Sequence, residues 1–222
     1  MKAVVLLSGG MDSAVCLSVA KKMDYEIAAL HLNYGQRTQR KEYFSFCSLL
    51  EYFNIIEKLS VDVSYFSQIG GSSLTDRKID VAVSGIESEF IPTSYVPFRN
   101  ANILSVGVSW AETIGAEAIF IGVNQLDSSG YPDCRQEFIE AFQKAIDTGT
   151  KPETSIKIVT PLINFTKKEI VLKGIELNTP FELTWSCYLD DEEACGECDS
   201  CRLRLKGFAE AGIIDPINIR KQ

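Results

Sequence analysis

The chain has 222 residues, of which 45% are hydrophobic, and this suffices for one domain with a sizeable core. Its formal net charge is −8 and no basic stripe is visible, which argues against a protein that grips a nucleic-acid backbone. No apolar run reaches the roughly 18 residues of a membrane span, and the run at residues 3–7 is too short for a signal peptide. We therefore expect a cytoplasmic protein whose partners are small molecules, with no nucleic acid and no membrane among them.

Short apolar runs alternate with helix-like stretches along most of the chain. We predict strands at residues 3–7, 26–32, 54–61, 117–123 and 156–162, and helices at residues 13–22, 37–53, 98–114, 134–147 and 166–177. This alternation predicts an α/β fold, a doubly wound parallel sheet covered by helices on both faces. Residues 62–97 break the rhythm, and they fit a lid over a binding site as well as a surface insertion.

In such sheets, ligands bind beyond the carboxyl ends of the strands. The loops at residues 8–13, 32–37 and 124–135 each follow a predicted strand, so we expect them to gather around one site. The first loop reads SGGMDS. Its two glycines permit positive φ, and its amides together with the next helix N-terminus can hold an anion. Asp12 would repel a phosphate there unless it holds Mg²⁺ or caps the turn.

Four of the seven cysteines fall close together near the C-terminus, at Cys187, Cys195, Cys198 and Cys201. Because no export signal is apparent, such a cluster indicates a metal site rather than disulfides. Two-residue gaps let neighbouring thiolates bind one ion, and four thiolates complete a closed, structural zinc site. An iron–sulfur cluster is the alternative, although Arg202 stands where a proline often follows the last cysteine.

The SGGMDS loop resembles the signature of the PP-loop ATP pyrophosphatases, synthetases that adenylate a substrate oxygen and release pyrophosphate. Further segments resemble one branch of that group, the 7-cyano-7-deazaguanine synthases of the queuosine pathway. These segments are HLNYGQ (31–36), VPFRN (96–100), NIL (102–104), DSSGYPDCR (127–135), TPL (160–162), WSCY (185–188) and CGECDSC (195–201). They stand in the family's order and span nearly the whole chain.

The resemblance implies a Rossmann-like fold of the adenine nucleotide alpha hydrolase type. It divides the chain into a PP-loop domain at residues 1–180 and a small zinc-binding C-terminal segment at residues 181–222. The implied activity is that of a carbon–nitrogen ligase, which converts 7-carboxy-7-deazaguanine and ammonia into 7-cyano-7-deazaguanine through adenylated intermediates. ATP with Mg²⁺, a structural Zn²⁺ and a homodimeric state also follow from the resemblance.

Individual roles follow from the same resemblance. Asp12, Arg99 and Lys167 are the catalytic candidates; the two cations would stabilise charge at the α-phosphate, and Lys168 competes with Lys167. The expected nucleotide-binding residues are Ser8, Gly9, Gly10, Met11, Asp12, Ser13, Leu30, His31 and Asn33. The expected substrate-binding residues are Gln36, Asn100, Tyr131, Asp133 and Arg135.

Some alternatives stay open at this point. His31, the single histidine, fits a packed, hydrogen-bonded residue as well as a direct role. A tRNA-modifying PP-loop enzyme of the thiolation or lysidine type is a rival function, which the acidic balance and short chain disfavour. A non-catalytic nucleotide-binding module that is stabilised by zinc is another rival function, and the intact loop at residues 8–13 argues against it.

Overall fold

The computed structural model describes residues 1–81, 91–126 and 130–220. The strands are β1 (Lys2–Leu6), β2 (Glu26–Asn33), β3 (Lys58–Asp62), β4 (Ala118–Ile121) and β5 (Lys157–Val159). The helices are α1 (Met11–Lys22), α2 (Gln39–Tyr52), α3 (Phe66–Ile69), α4 (Arg99–Ile114), α5 (Gln136–Gly149), α6 (Lys167–Glu176) and α7 (Asp199–Ala211). Short 3₁₀ turns at Pro132–Cys134 and Phe181–Leu183 complete the described elements.

The five strands form one parallel sheet in the order β3-β2-β1-β4-β5. Apolar side chains of α1, α2 and α6 pack on one face of this sheet, and those of α4 and α5 pack on the other. Central strands are therefore buried on both sides, and Ala3, Val4 and Val5 of β1 are fully buried. The predicted α/β, doubly wound parallel fold is confirmed.

The strand order reverses between β1 and β4, since the chain builds outward through β2 and β3 before it returns to β4. At such a switch point the loops after the two neighbouring strands diverge and leave a crevice. Gly122, just after β4, lies so close to α1 that a Cβ there would be 2.9 Å from the carbonyl oxygen of Asp12. The loops after β1 and β4 therefore meet at one place, as the strand pattern predicts.

One strand begins later than the sequence suggests. Residues 54–61 were expected as a strand, whereas β3 spans Lys58–Asp62. Asn54 has a φ of 54° directly after α2, and Ile56 is 93% exposed. Because a left-handed turn follows α2 and the residues after it are exposed, pairing with β2 begins only at Lys58.

The segment at residues 62–97 is partly built into the core. Ser72, Ser73 and Leu74 are buried, and the guanidinium of Arg37 donates hydrogen bonds to the carbonyl oxygens of Ser73, Asp76 and Ile79. Residues 82–90 lie outside the described part of the chain. In the described part, this segment is packed against the loop after β2.

The sequence pattern did not predict α7, which follows the last cysteines. Its buried face packs against α6, and a Cβ on Gly207 would lie 2.9 Å from the carbonyl oxygen of Lys167. Arg204 is buried in a bidentate ion pair with Asp215, at 2.7 and 2.9 Å. The C-terminal residues are thus packed on the sheet domain, and the proposed boundary at residue 180 stays a prediction. No helix among the described residues is long and apolar enough to cross a membrane.

Two helical glycines allow a matched test of this packing. A Cβ on Gly174 of α6 would overlap the buried Phe181 ring and lie 2.9 Å from a Val15 methyl carbon, whereas nothing lies within 4 Å of a Cβ on Gly149. Gly174→Ala should lower the free energy of unfolding by about 1–3 kcal/mol through overpacking. Gly149→Ala should leave it unchanged or raise it by up to about 1 kcal/mol. Urea unfolding measures both, and equal effects of the two substitutions would contradict the packing of α6 on α1.

Candidate active site and metal centre

A cavity of about 260 Å³ opens at the switch point of the sheet. Its wall contains residues from the loops after β1 and β4, the first turns of α4 and α6, and the C-terminal segment. The expected site residues that line it are Ser8, Gly10, Met11, Asp12, Ser13, Leu30, Arg99, Asn100, Tyr131 and Lys167. These expected residues are up to 159 positions apart in the chain, from Ser8 to Lys167, and one cavity brings them together.

The loop at residues 8–13 forms a small hydrogen-bonded nest at the start of α1. Gly9 has a φ of 91°, and the amide of Gly10 donates to the Ser8 hydroxyl at 3.2 Å. The Ser13 hydroxyl donates to the Gly10 carbonyl oxygen at 2.9 Å and lies 3.1 Å from the Ser8 hydroxyl. Since the first amides of α1 have no side-chain cap, they face the cavity as anion-binding groups.

Asp12 and Lys167 form an ion pair across this cavity. Their carboxylate oxygen and ammonium nitrogen lie 2.6 Å apart, and the Lys167 side chain is only 8% exposed. The other carboxylate oxygen of Asp12 is buried without a hydrogen-bond partner. Lys168, the rival cation, is exposed outside the cavity. The geometry thus distinguishes two neighbouring lysines that the sequence did not.

Lys167 owes its position to two helix contacts. It is the first residue of α6, whose start is fixed by a capping box in which Thr166 and Glu169 satisfy each other's backbone amides. Gly207 of α7 packs directly on its backbone. The side chain is therefore directed from a rigid helix start towards Asp12.

Arg99 begins α4 on the opposite wall. Its guanidinium donates to the Tyr34 hydroxyl at 3.0 Å and lies 5.2 Å from the centre of that ring. No carboxylate within residues 1–81, 91–126 and 130–220 forms an ion pair with it. A half-buried cation that forms no ion pair with a carboxylate of the described residues fits an anionic ligand.

Asn100 and Asp133 tie the loop before α5 to the start of α4. The backbone amide of Asn100 donates to the Asp133 carboxylate at 2.9 Å, and its side-chain amide donates to the Asp133 carbonyl oxygen at 3.1 Å. Burial raises the pKa of the Asp133 carboxyl, and the Asn100 hydrogen bond opposes this. The Asp133 side chain does not line the cavity. Residues 127–129 of the same loop lie outside the described part of the chain.

Tyr131 lines the cavity, and its hydroxyl donates to the Ser94 hydroxyl at 2.9 Å. The Arg135 side chain is exposed and lies outside the cavity. Gln36 is buried behind the wall, where its side chain accepts from the Tyr34 amide and donates to Glu42.

His31 and Asn33 do not line the cavity either. The His31 ring packs at 4.9 Å from Phe46, and its Nδ1 donates to the Leu7 carbonyl oxygen at 3.0 Å. Burial lowers the pKa of His31, so the ring is neutral at physiological pH. His31 therefore supports Leu7, the residue directly before Ser8, from the face of the sheet on which Phe46 packs.

Several lining residues were not assigned roles from the sequence. They are Tyr34, Glu42, Cys134, Trp185, Ser186, Tyr188 and Arg204. Five of these stand in the YG, WSCY and DCR portions of the quoted motifs, so a signal existed. One sequence, however, does not distinguish residues that line a cavity from residues that pack in the core. Glu42 and Arg204 lie in helices whose inward faces only the tertiary structure defines.

The four clustered cysteines converge on one point. Their sulfur atoms all lie within 4.8 Å of one another, and all four residues are buried. The Cys195 and Cys201 sulfurs are 3.9 Å apart, close to the roughly 3.8 Å between ligands of a tetrahedral zinc–thiolate site. Backbone amides of Leu189, Cys195, Glu197 and Cys198 point at the Cys187 and Cys195 sulfurs. This donor set can hold a metal ion and suits zinc.

Comparisons with known proteins identify the family. The family model described as "Queuosine biosynthesis protein QueC" matches residues 2–212. A 7-cyano-7-deazaguanine synthase of Chlorobium chlorochromatii is 56% identical over 218 residues, which cover 98% of this chain and 96% of that protein. One of Chlorobium phaeobacteroides is 56% identical over 222 residues, which cover 100% of this chain and 98% of that protein.

Among solved structures, one described as a "predicted subunit of tRNA methyltransferase" from Methanocaldococcus jannaschii matches with a TM-score of 0.51. Its sequence identity is 14%, and the match covers 100% of this chain and 93% of that one. This likeness concerns the fold alone. The family model and the full-length relatives carry the assignment: the chain belongs to the QueC family of 7-cyano-7-deazaguanine synthases.

Proposed function

We propose that this protein is an ATP-dependent carbon–nitrogen ligase that converts 7-carboxy-7-deazaguanine and ammonia into 7-cyano-7-deazaguanine in queuosine biosynthesis. The observation that carries the proposal is the cavity itself. It places an anion-binding nest at residues 8–13 opposite Arg99, a cation without a carboxylate partner among the described residues. The triphosphate of ATP and the carboxylate of the substrate are both anions, which the amides of the nest and the guanidinium of Arg99 can bind.

The chemistry explains why ATP is needed. A carboxylate is a poor electrophile, because its oxygen is a poor leaving group. Attack of the carboxylate oxygen on the α-phosphate releases pyrophosphate and leaves an acyl adenylate. Ammonia then adds to the acyl carbon, the carbon–oxygen bond breaks, and AMP departs with the electron pair to leave an amide. A second ATP activates the amide oxygen in the same way, and loss of AMP and protons leaves the nitrile.

The phosphates would be held by the amides and hydroxyls of the nest formed by Ser8, Gly9, Gly10 and Ser13, with Met11 packed beneath them. Asp12 would help to hold Mg²⁺ with ATP, since one of its carboxylate oxygens is buried and unpartnered. Lys167 and Arg99 would stabilise the charge that develops at the α-phosphate. Leu30 offers an apolar surface for the adenine, while His31 and Asn33 would support that strand from behind.

The deazaguanine would lie against Tyr131 and Asn100, which line the cavity. Asp133 and Gln36 lie behind the wall and would act by holding Asn100 and the loop after β2 in place. Arg135 is exposed, so a contact with the substrate carboxylate would require the loop to close over the ligand.

The four cysteines would hold a structural Zn²⁺, which stabilises the start of α7. We also propose that the chain divides into a PP-loop domain at residues 1–180 and a zinc-binding segment at residues 181–222. The protein would form a homodimer in the cytoplasm. Light scattering coupled to size exclusion tests the homodimer directly, and a monomer at micromolar concentration would refute it.

The function is tested by product analysis with the purified, zinc-loaded protein. We expect pyrophosphate release with ATP and 7-carboxy-7-deazaguanine, and the nitrile product by mass spectrometry only when ammonium is also supplied. Guanine, which has no carboxylate at this position, is the matched control and should give neither. A folded protein that releases no pyrophosphate with the carboxylate substrate would refute the ligase assignment.

Adjacent lysines provide a matched test of the phosphate site. Lys167→Ala should lower kcat by roughly 10²-fold, as expected when a cation at a developing charge is removed. Lys168→Ala changes the next residue of the same helix, which is exposed, and should leave kcat within about twofold. Thermal unfolding of both variants checks that the protein remains folded. Comparable losses of activity in the two would contradict the assignment of Lys167.

The metal site is tested by Cys198→Ser, with Cys47→Ser as a control outside the cluster. Removing one of four thiolates should lower the zinc content well below one per chain and lower the thermal unfolding temperature. Cys47→Ser should leave the zinc content unchanged. Metal analysis by mass spectrometry gives the result, and a full zinc complement in Cys198→Ser would show that the four-thiolate site is wrong.

A further inference from the structure

Glu42 is a carboxylate of the cavity wall that has no part in the binding of ATP or of the deazaguanine proposed for the other lining residues. Glu42 lies in the first turn of α2, and this turn packs against the phosphate loop so closely that a Cβ on Gly9 would be 2.6 Å from the Glu42 carbonyl oxygen. Its side chain lines the cavity. Glu42 is therefore held beside the phosphate loop, at the wall formed with Tyr34 and Arg99.

Its orientation is fixed by two donors. The Gln36 side-chain amide donates to one carboxylate oxygen at 3.0 Å, and the Thr38 hydroxyl donates to the other at 2.9 Å. The Tyr34 backbone amide donates to the Gln36 oxygen at 2.9 Å, which determines the amide nitrogen as the group that faces Glu42. A carboxylate accepts about four hydrogen bonds, so acceptor positions remain on the cavity side.

The reaction needs a proton acceptor, since ammonia is mostly ammonium at neutral pH and its nitrogen must lose protons when the amide and then the nitrile form. Among the described residues that line the cavity, the carboxylates are Asp12 and Glu42. Asp12 is engaged by Lys167. The described cavity wall contains no histidine, and burial raises the pKa of the Cys134 thiol to about 11.

The surroundings make Glu42 a stronger base than an ordinary carboxylate. Burial raises the pKa of its carboxyl, and the nearby Asp191 adds to this effect. The hydrogen bonds from Gln36 and Thr38 and the charge of Arg99 oppose this rise in the pKa of Glu42. Glu42 thus combines a position in the cavity wall with a raised pKa, which makes its carboxylate a better proton acceptor.

We propose that the Glu42 carboxylate is the ammonium-binding group and general base of the amidation step. It accepts hydrogen bonds from ammonium and takes one proton, so that the nitrogen lone pair forms the carbon–nitrogen bond to the acyl adenylate. The carbon–oxygen bond to AMP breaks, and its electron pair leaves with the phosphate. Glu42 then releases this first proton to solvent and accepts the second proton that the nitrogen loses as the amide forms. This assignment rests on the proposed ligase function.

A pH dependence follows from the raised pKa. Ammonium binding needs the ionised carboxylate, so turnover at subsaturating ammonium should fall as the pH drops through the Glu42 pKa. Since that pKa lies above its ordinary value, the loss should begin at a higher pH than for a solvated glutamate. Gln36, Thr38, Arg99 and Asp191 are the polar and charged groups that face Glu42.

The test uses Glu42→Gln, with Glu51→Gln as the same change at an exposed position of α2. Adenylation of the carboxylate precedes ammonia entry, so ATP–pyrophosphate exchange with 7-carboxy-7-deazaguanine should stay within about threefold in both variants. With ammonium, Glu42→Gln should lose roughly 10²-fold in kcat/KM and lose the acid limb of its pH profile. Hydroxylamine is a neutral nucleophile at neutral pH, so its reaction with the acyl adenylate should be largely retained.

Two results would overturn the proposal. The first is Glu42→Gln turnover with ammonium equal to that of Glu51→Gln. The second is an equal loss of exchange, hydroxylamine reaction and ammonium reaction, which would make Glu42 a structural support of the phosphate loop. Failure of the ligase assignment itself is distinguishable, because the unsubstituted protein would then show no pyrophosphate exchange with the carboxylate substrate.

Discussion

The site depends on how closely other backbones approach the loop at residues 8–13. The first turn of α2 lies against Gly9, the end of β4 lies against Asp12 at Gly122, and the Trp185 amide donates to the Gly9 carbonyl oxygen at 2.9 Å. A side chain at Gly9 or Gly122 would force these elements apart. Three separate parts of the chain thus define the conformation of this loop, and a small shift of any of them would change it.

The C-terminal segment packs directly against a residue of the site. The metal cluster ends in Cys198 and Cys201, which lie at the start of α7, and α7 places Gly207 against the backbone of Lys167. Lys167 in turn holds Asp12 at 2.6 Å. A metal ion held by the four cysteines would therefore help to position Lys167 through α7.

Local charge, not total charge, suits the cavity to anions. The chain carries a net charge of −8, yet the cavity wall presents Arg99 and Lys167 together with the uncapped amides of α1. Lys167 is paired with Asp12, whereas Arg99 forms no ion pair with a carboxylate of the described residues and donates to the Tyr34 hydroxyl. The charge that an anion meets in this cavity is therefore set by these few groups and not by the net charge of the chain.

The sequence alone was enough to predict the fold class, the glycine turn after β1 and a cluster of four cysteines that can hold a metal ion. Each depends on local pattern: alternation of strands and helices, glycines in a short turn, and cysteines at fixed spacing. The sequence also identified the family, since those motifs span the chain. It did not reveal α7, whose buried face is defined by contacts with α6, nor the late start of β3 after the left-handed Asn54. Only the tertiary structure separated Lys167 from Lys168, placed His31 behind the sheet and turned Glu42 into the cavity, because the direction of a side chain depends on which helix and strand faces pack together.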